Sequence, residues 1–197
     1  MAAQFEPSPR VRGGAVIALD ELEISILRSL TVQLLELIGP GDEPEADDDP
    51  LAELFADGPS EPPSDPALAR LFPDAYTGPG ERQDRAAREA GAEFRRFTET
   101  ELRSRKRGDG LAVVHALDTL EPAEGSGAAV LTLAPAESRR WLGALNDLRL
   151  TIGARLEVDE DTDDLYRLPD SDPRKPLVMA YLWLGALQES LIETLLP

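Results

Sequence analysis

Ala15-Val16-Ile17-Ala18-Leu19 runs directly into Asp20-Glu21-Leu22-Glu23, and an apolar helical pattern then continues to Ile38 before Gly39-Pro40 stops it. The first five residues hold no turn former and follow Gly13-Gly14, so they predict a compact strand entered through a turn. Asp20 offers a side-chain oxygen to the orphan amides of a helix start, and Glu23 stands three residues on, as a capping box requires. Leu22, Ile26, Leu30, Leu34 and Leu37 recur at helical spacing, while Ile24, Leu27, Leu35 and Ile38 widen the apolar face. Such breadth predicts a helix buried on more than one side.

The same grammar returns later in the chain. Gly127 to Gly153 matches Gly13 to Gly39 in length and in order: glycine, strand (Ala129-Val130-Leu131-Thr132-Leu133), helix start with Glu137 where the first has Glu23, apolar helix, closing glycine. If the likeness is a true repeat, two strand–helix units pair their strands and pack their helices together. The second helix is expected from Pro135 to about Leu156, with Trp141, Leu145, Leu148 and Ile152 inward. A last helix is expected from about Pro176 to Leu196, burying Leu177, Tyr181, Leu184, Leu187, Leu191 and Leu195. Gln4-Phe5-Glu6-Pro7 reads as a short edge strand, because proline cannot donate to a ladder. Glu81 to Arg107 reads as a long exposed helix with a narrow stripe of Ala86, Ala87, Ala90, Phe94, Phe97 and Leu102. Gly108 to Gly110 is expected to break it ahead of a short helix, Leu111 to Leu120. Between Gly41 and Pro66 an acidic run, Glu43 to Asp49, and a proline-rich run, Pro59 to Pro66, predict a mobile insertion over about 40–66. Two motifs stand in or beside it, Asp49 to Phe55 and Asp65 to Phe72, each with proline at the first helical position, two leucines and a phenylalanine. Both are expected to form short helices docked on the core. The fold expected is mainly α: a single domain over 1–197, a bundle of about four major helices with a small two- or three-stranded antiparallel sheet, two of its strand–helix units being pseudo-repeats.

Composition narrows the function. With 42% hydrophobic residues but only 5% aromatic, the core must be built from aliphatic side chains, which favours helices. A net charge of −18 repels phosphate backbones, so direct nucleic-acid binding is disfavoured and basic partners are preferred. The absence of cysteine excludes disulfides, thiolate metal sites and thiol redox sensing. The stretch from Met1 to Arg12 lacks a signal peptide's apolar centre, and no apolar run approaches a membrane span, so the cytoplasm is the expected location.

The candidate sites are few. Asp159, Asp161 and Asp163 with Asp170 imitate a calcium loop, but Asp164 stands where the sharp turn needs glycine, and the bidentate glutamate is missing. The single histidine, His115, sits among Val113, Val114 and Leu117 and reads as a partly buried structural residue. No phosphate loop, nucleophile elbow or metal-ligand spacing occurs, so neither catalysis, cofactor nor metal is expected. Two groups remain as candidate partner-binding residues. Arg103, Arg105, Lys106 and Arg107 form a basic cluster, weighed against a solvated helix end that satisfies the dipole. Asn146, Asp147 and Arg149 interrupt an apolar helix, weighed against a buried polar cluster, which is the preferred reading.

Several stretches carry a family resemblance: Phe5-Glu6-Pro7 with Gly13-Gly14; Leu19-Asp20-Glu21-Leu22-Glu23; Leu27-Arg28-Ser29-Leu30; Gln33 to Leu37; Trp141 to Leu150 with Gly153, Arg155 and Leu156; Tyr181 to Gly185 with Gln188 to Leu191. Together they resemble the actinobacterial AosR-like family of oxidative-stress transcriptional regulators, formerly a domain of unknown function. The resemblance spans the chain apart from Gly41 to Pro66, and Asn146-Asp147-Leu148-Arg149 is its most specific part. It implies a non-enzymatic regulator that associates with a sigma factor after oxidation of a cysteine pair. That switch cannot operate in a chain without cysteine.

The reading favoured is a cytoplasmic regulatory protein that binds a transcription component such as a sigma factor. The alternative is an adaptor or scaffold for protein turnover, in which the insertion and its Leu/Phe motifs bind a chaperone or protease component. A third, an unrecognised enzyme, would need a concave pocket with converging polar groups.

Overall fold

A computed structural model describes residues 3–40, 58–76, 78, 84–121, 127–158 and 167–196. The elements run β1 (Glu6–Pro7), β2 (Ala15–Asp20), α1 (Glu21–Ile38), α2 (Pro66–Leu71), α3 (Arg85–Asp118), β3 (Ala128–Leu133), α4 (Pro135–Arg155) and α5 (Lys175–Leu195). The architecture is mainly helical, with a small antiparallel sheet of order β1-β2-β3. The acidic run, the Asp49 to Phe55 motif, the acidic loop at Asp159 to Asp164 and most of the expected insertion lie outside the described residues.

Local chemistry explains the first unit. The Asp20 carboxylate accepts the Glu23 amide at 2.8 Å, and Glu23 accepts the Asp20 amide at 3.0 Å, closing the expected capping box. α1 ends at Gly39, whose φ of 89° suits glycine. Its buried face is Leu27, Thr31, Leu34 and Ile38. The expected face is therefore rotated: Leu22 is 68% exposed, and Ile26 is exposed as well. Thr31 is tolerated inside because its hydroxyl donates to the Leu27 carbonyl at 2.7 Å.

The sheet pairs the two strands that the likeness aligns. β2 and β3 pair antiparallel in an unbroken register with Ile17 opposite Leu131. Those two residues hold the same place, fifth, in the stretches that begin at Gly13 and Gly127. A local pseudo-two-fold therefore passes between them. Ala15, Ile17, Leu19, Ala129, Leu131 and Leu133 all point into the core. β1 covers the outer edge of β2 for two residues, and the Phe5 amide donates to Ser190 on α5 at 3.1 Å. Phe5 also meets Trp141 edge-on, with ring centroids 6.1 Å apart.

α4 is the centre of the bundle, packing on α1, α2, α3 and α5. Trp141, Leu145, Leu148 and Ile152 are buried, as their spacing predicts. Gly153 does not close this helix. It lies inside it, facing the Tyr181 ring. On α5 the buried apolar residues are Val178, Leu184, Leu187 and Leu191, while Leu177, Tyr181 and Leu195 are only half-buried.

The largest correction concerns α3. It is one 34-residue helix that passes through Gly108 and Gly110 without a break. A Cβ on Gly110 would stand 2.9 Å from the Leu35 side chain, so the glycine serves close packing of α1 against α3. Packing of this kind offsets the roughly 1 kcal/mol that glycine costs a helix. The expected apolar stripe is also displaced. Phe94 and Phe97 are exposed, while Gly91, Arg95, Glu99, Gly110, Val113 and Leu117 are buried. His115 points to solvent and is not a buried structural residue.

Candidate functional site

Opposite charges repeat along α3 at one-turn intervals: Arg95, Glu99, Arg103 and, past the ladder, Arg107. Arg95 is only 5% exposed. Both of its terminal nitrogens donate to the Phe72 carbonyl at 3.2 Å, one reaches Asp74 at 2.8 Å, and the other binds Glu99. Burial opposes the Arg95 charge, but the bonds to Asp74 and Glu99 outweigh it and hold the guanidinium above its ordinary pKa. Glu99, 3% exposed, also receives Arg103 at 2.7 and 2.9 Å. The Arg103 guanidinium lies 4.2 Å over the Phe72 ring. Phe72 itself is buried at the end of α2, whose start Asp65 caps by accepting the amides of Ala67 and Leu68.

The basic cluster then completes a neighbouring helix. α1 has no cation in its own last turn. Arg103 donates to the Ile38 carbonyl and Arg107 to the Gly39 carbonyl, each at 3.0 Å. Two guanidinium groups from α3 therefore satisfy the negative end of α1. Lys106 turns to another side and donates to Asp147 on α4 at 2.6 Å. Burial pushes the Asp147 carboxyl above the ordinary range, and Lys106 draws it back only in part. Asp109, in the same seam, is also raised by burial, with Arg140 at 3.6 Å opposing the shift and Asp147 adding to it. Arg105 is exposed.

Asn146 and Arg149 face α5. Arg149 donates to Gln188 at 2.6 Å, and Gln188 donates to Asn146 at 3.4 Å. The Arg149 guanidinium lies 5.1 Å from the Tyr181 ring centroid, and its Nε has no hydrogen-bond partner among the described residues. The seven candidates thus do not converge on one site. Arg103 and Arg107 close α1, Lys106 and Asp147 bolt α3 to α4, Asn146 and Arg149 clasp α4 to α5, and Arg105 is left facing water. Sequence reasoning missed Arg95, Glu99 and Asp74, although Arg95, Glu99 and Arg103 alternate in sign at i,i+4 spacing. Among the described residues no group of three or more His, Asp or Glu side chains is placed to hold a metal ion, and no helix is long and apolar enough to cross a membrane.

Comparison with known proteins fits this chain into one group. It is similar to the putative oxidative stress regulator AosR of Mycobacterium leprae, 35% identical over 105 residues, which is 53% of this chain and 44% of that protein. The oxidative stress regulators AosR of Mycobacterium tuberculosis and Mycobacterium bovis are each 33% identical over 105 residues, with the same coverage. The match thus spans less than half the length of these relatives. No solved structure matches the chain. Residues 2–195 match the family described as Domain of unknown function (DUF2017), and the chain belongs to that family.

Proposed function

We propose that this protein is a non-enzymatic regulator that binds a component of the transcription machinery, a sigma factor being the first candidate, without a thiol switch. The observation that carries the reading is the likeness to proteins named oxidative stress regulators. The absence of cysteine removes the thiol route to control. Charge placement supports a basic partner. In a chain of net −18, the inward cations Arg95, Arg103 and Lys106 are matched by the carboxylates of Asp74, Glu99 and Asp147, so the exterior keeps the acidic excess that the composition gives. Long-range attraction then steers a basic surface into contact and fades with salt.

The test is a pull-down with the intact chain at low salt against RNA polymerase and its sigma factors. Recovery of a sigma factor, lost on raising the salt and indifferent to peroxide or dithiothreitol, is expected. Recovery of no transcription component contradicts the reading. The adaptor alternative is weakened by one observation: Leu71 and Phe72 of the Asp65 to Phe72 motif are each 2% exposed and are not available to a partner.

A further inference from the structure

From Pro176 to Gln188 α5 carries no charged residue. A helix apolar on every side belongs in an interior. Among the described residues α5 is covered mainly on one side, where it packs on α4 with β1 and β2 beside it. Leu184, Leu187 and Leu191 fill that side. On the outward side Met179 and Ile192 are exposed, while Leu182 and Ala186 are half-buried. Leu182, Ala186 and Ile192 line an open groove along α5, and Arg149 on α4 forms its far wall. Gly185 makes room for that wall, because the Arg149 guanidinium lies 3.5 Å from where its Cβ would stand.

The C-terminal end of the groove is negative. Glu189 and Glu193 stand one turn apart on its rim, both exposed, and among the described residues neither is in an ion pair. The last turn of α5 holds no cation, so the two carboxylates oppose each other and add to the negative end of the helix dipole. α1 starts from the same deficit, and there Arg103 and Arg107 of α3 complete the helix end. No described arginine or lysine does the same for α5.

We propose that this groove docks an amphipathic helix of a basic protein partner, with its apolar stripe on Leu182, Ala186 and Ile192 and its lysines or arginines on Glu189, Glu193 and the bare end of α5. The inference rests on the reading above that the partner is basic, and it names the surface that meets it. Helix-in-groove recognition uses an apolar stripe bordered by charge, which is the pattern here. A second copy of this chain would bring another net −18 and the same carboxylates against themselves. An anionic lipid surface would repel them in the same way. A cationic helix relieves the like-charge opposition and covers the apolar face together.

The probe is a synthetic leucine–lysine peptide, with leucines at i, i+3, i+4 and i+7 and lysines elsewhere, titrated into the intact chain and followed by fluorescence anisotropy. Wild type should bind it, and Glu189→Lys combined with Glu193→Lys should weaken binding at least about tenfold. Glu36→Lys combined with Glu101→Lys makes the same change of net charge at exposed sites on α1 and α3, and should cost less than about threefold. Lysine near a helix C-terminus favours the helix, so the groove variant should fold with its thermal stability unchanged or raised. Absence of binding by wild type, or equal losses in the two double variants, overturns the proposal. The sigma-factor pull-down separates the surface from the reading it rests on. Recovery of a sigma factor by wild type and equally by the groove variant overturns the surface and leaves the functional reading standing. Peptide binding lost only in the groove variant, with no transcription component recovered, upholds the surface and overturns the transcription reading.

Discussion

The unit β2–α1 puts its strand in the middle of the sheet and its helix toward the outside, whereas the unit β3–α4 puts its strand at the edge and its helix at the centre of the bundle. Both open with glycine, strand and a helix start bearing glutamate at the same offset. Their caps already differ. Asp20 and Glu23 exchange bonds, while Glu137 accepts the Ala134 amide at 2.7 Å and Ala134 has no side-chain oxygen to answer. Their burial differs more: four residues of α1 are buried against nine of α4. A strand–helix pattern therefore specifies the local elements and the pairing of their strands. Which helix becomes central is decided by what the rest of the chain brings, here α2, α3 and α5 on α4.

The sharpest way to break this comparison is to truncate one leucine in each helix. Leu145→Ala in α4 should cost about 3–5 kcal/mol in denaturant unfolding, because a nearly inaccessible side chain leaves a cavity in the core. Leu22→Ala in α1, an exposed site despite its helical spacing, should stay within about 0.5 kcal/mol. Equal losses would mean that Leu22 is buried as Leu145 is, against their placement here.

A second test concerns the bolt between α3 and α4. Lys106→Met should cost about 3 kcal/mol at neutral pH by leaving the Asp147 carboxylate buried without its partner, while Arg105→Met next to it should be nearly silent. Acid should shrink the Lys106→Met deficit, since Asp147 then takes up a proton. The wild-type chain carries a milder form of the same dependence. Asp147 is raised above its unfolded pKa, so the folded state binds that proton more readily, and its contribution to stability falls as pH rises through the window just above the usual carboxylate value of about 4. Asp147→Asn removes that slope, so its stability relative to wild type should rise with pH across the window. A relative stability that falls with pH would contradict the assignment. The smallest expected effects are at the caps. Asp20→Ala should cost about 1 kcal/mol, and Ala134→Asp should gain a few tenths to 1 kcal/mol by completing the box that α4 lacks, both read from thermal unfolding.

Much of this was legible in the sequence where the determinants are local. The capping box at Asp20, the strand at Ala129 to Leu133 and the inward face of α4 all depend on neighbours within a turn or two. α3 was misread where distant groups decide. Gly110 breaks no helix because Leu35 fills the space beside it, and Arg95 is buried because a carbonyl and a carboxylate from the loop after α2 meet it there. Neither contact leaves a trace in periodicity. The candidate residues show the same divide. Asn146, Asp147 and Arg149 stood out as polar groups in an apolar helix, but their division between α3 and α5 follows from the packing of both helices.

Native-state hydrogen exchange on the intact chain tests most directly whether α4 is the inner helix and α1 the outer one. Amides of Ala144 to Thr151 should exchange only through global unfolding, and those of Ile24 to Leu30 should open at a lower free energy. Protection in α1 equal to or greater than that in α4 would contradict the account.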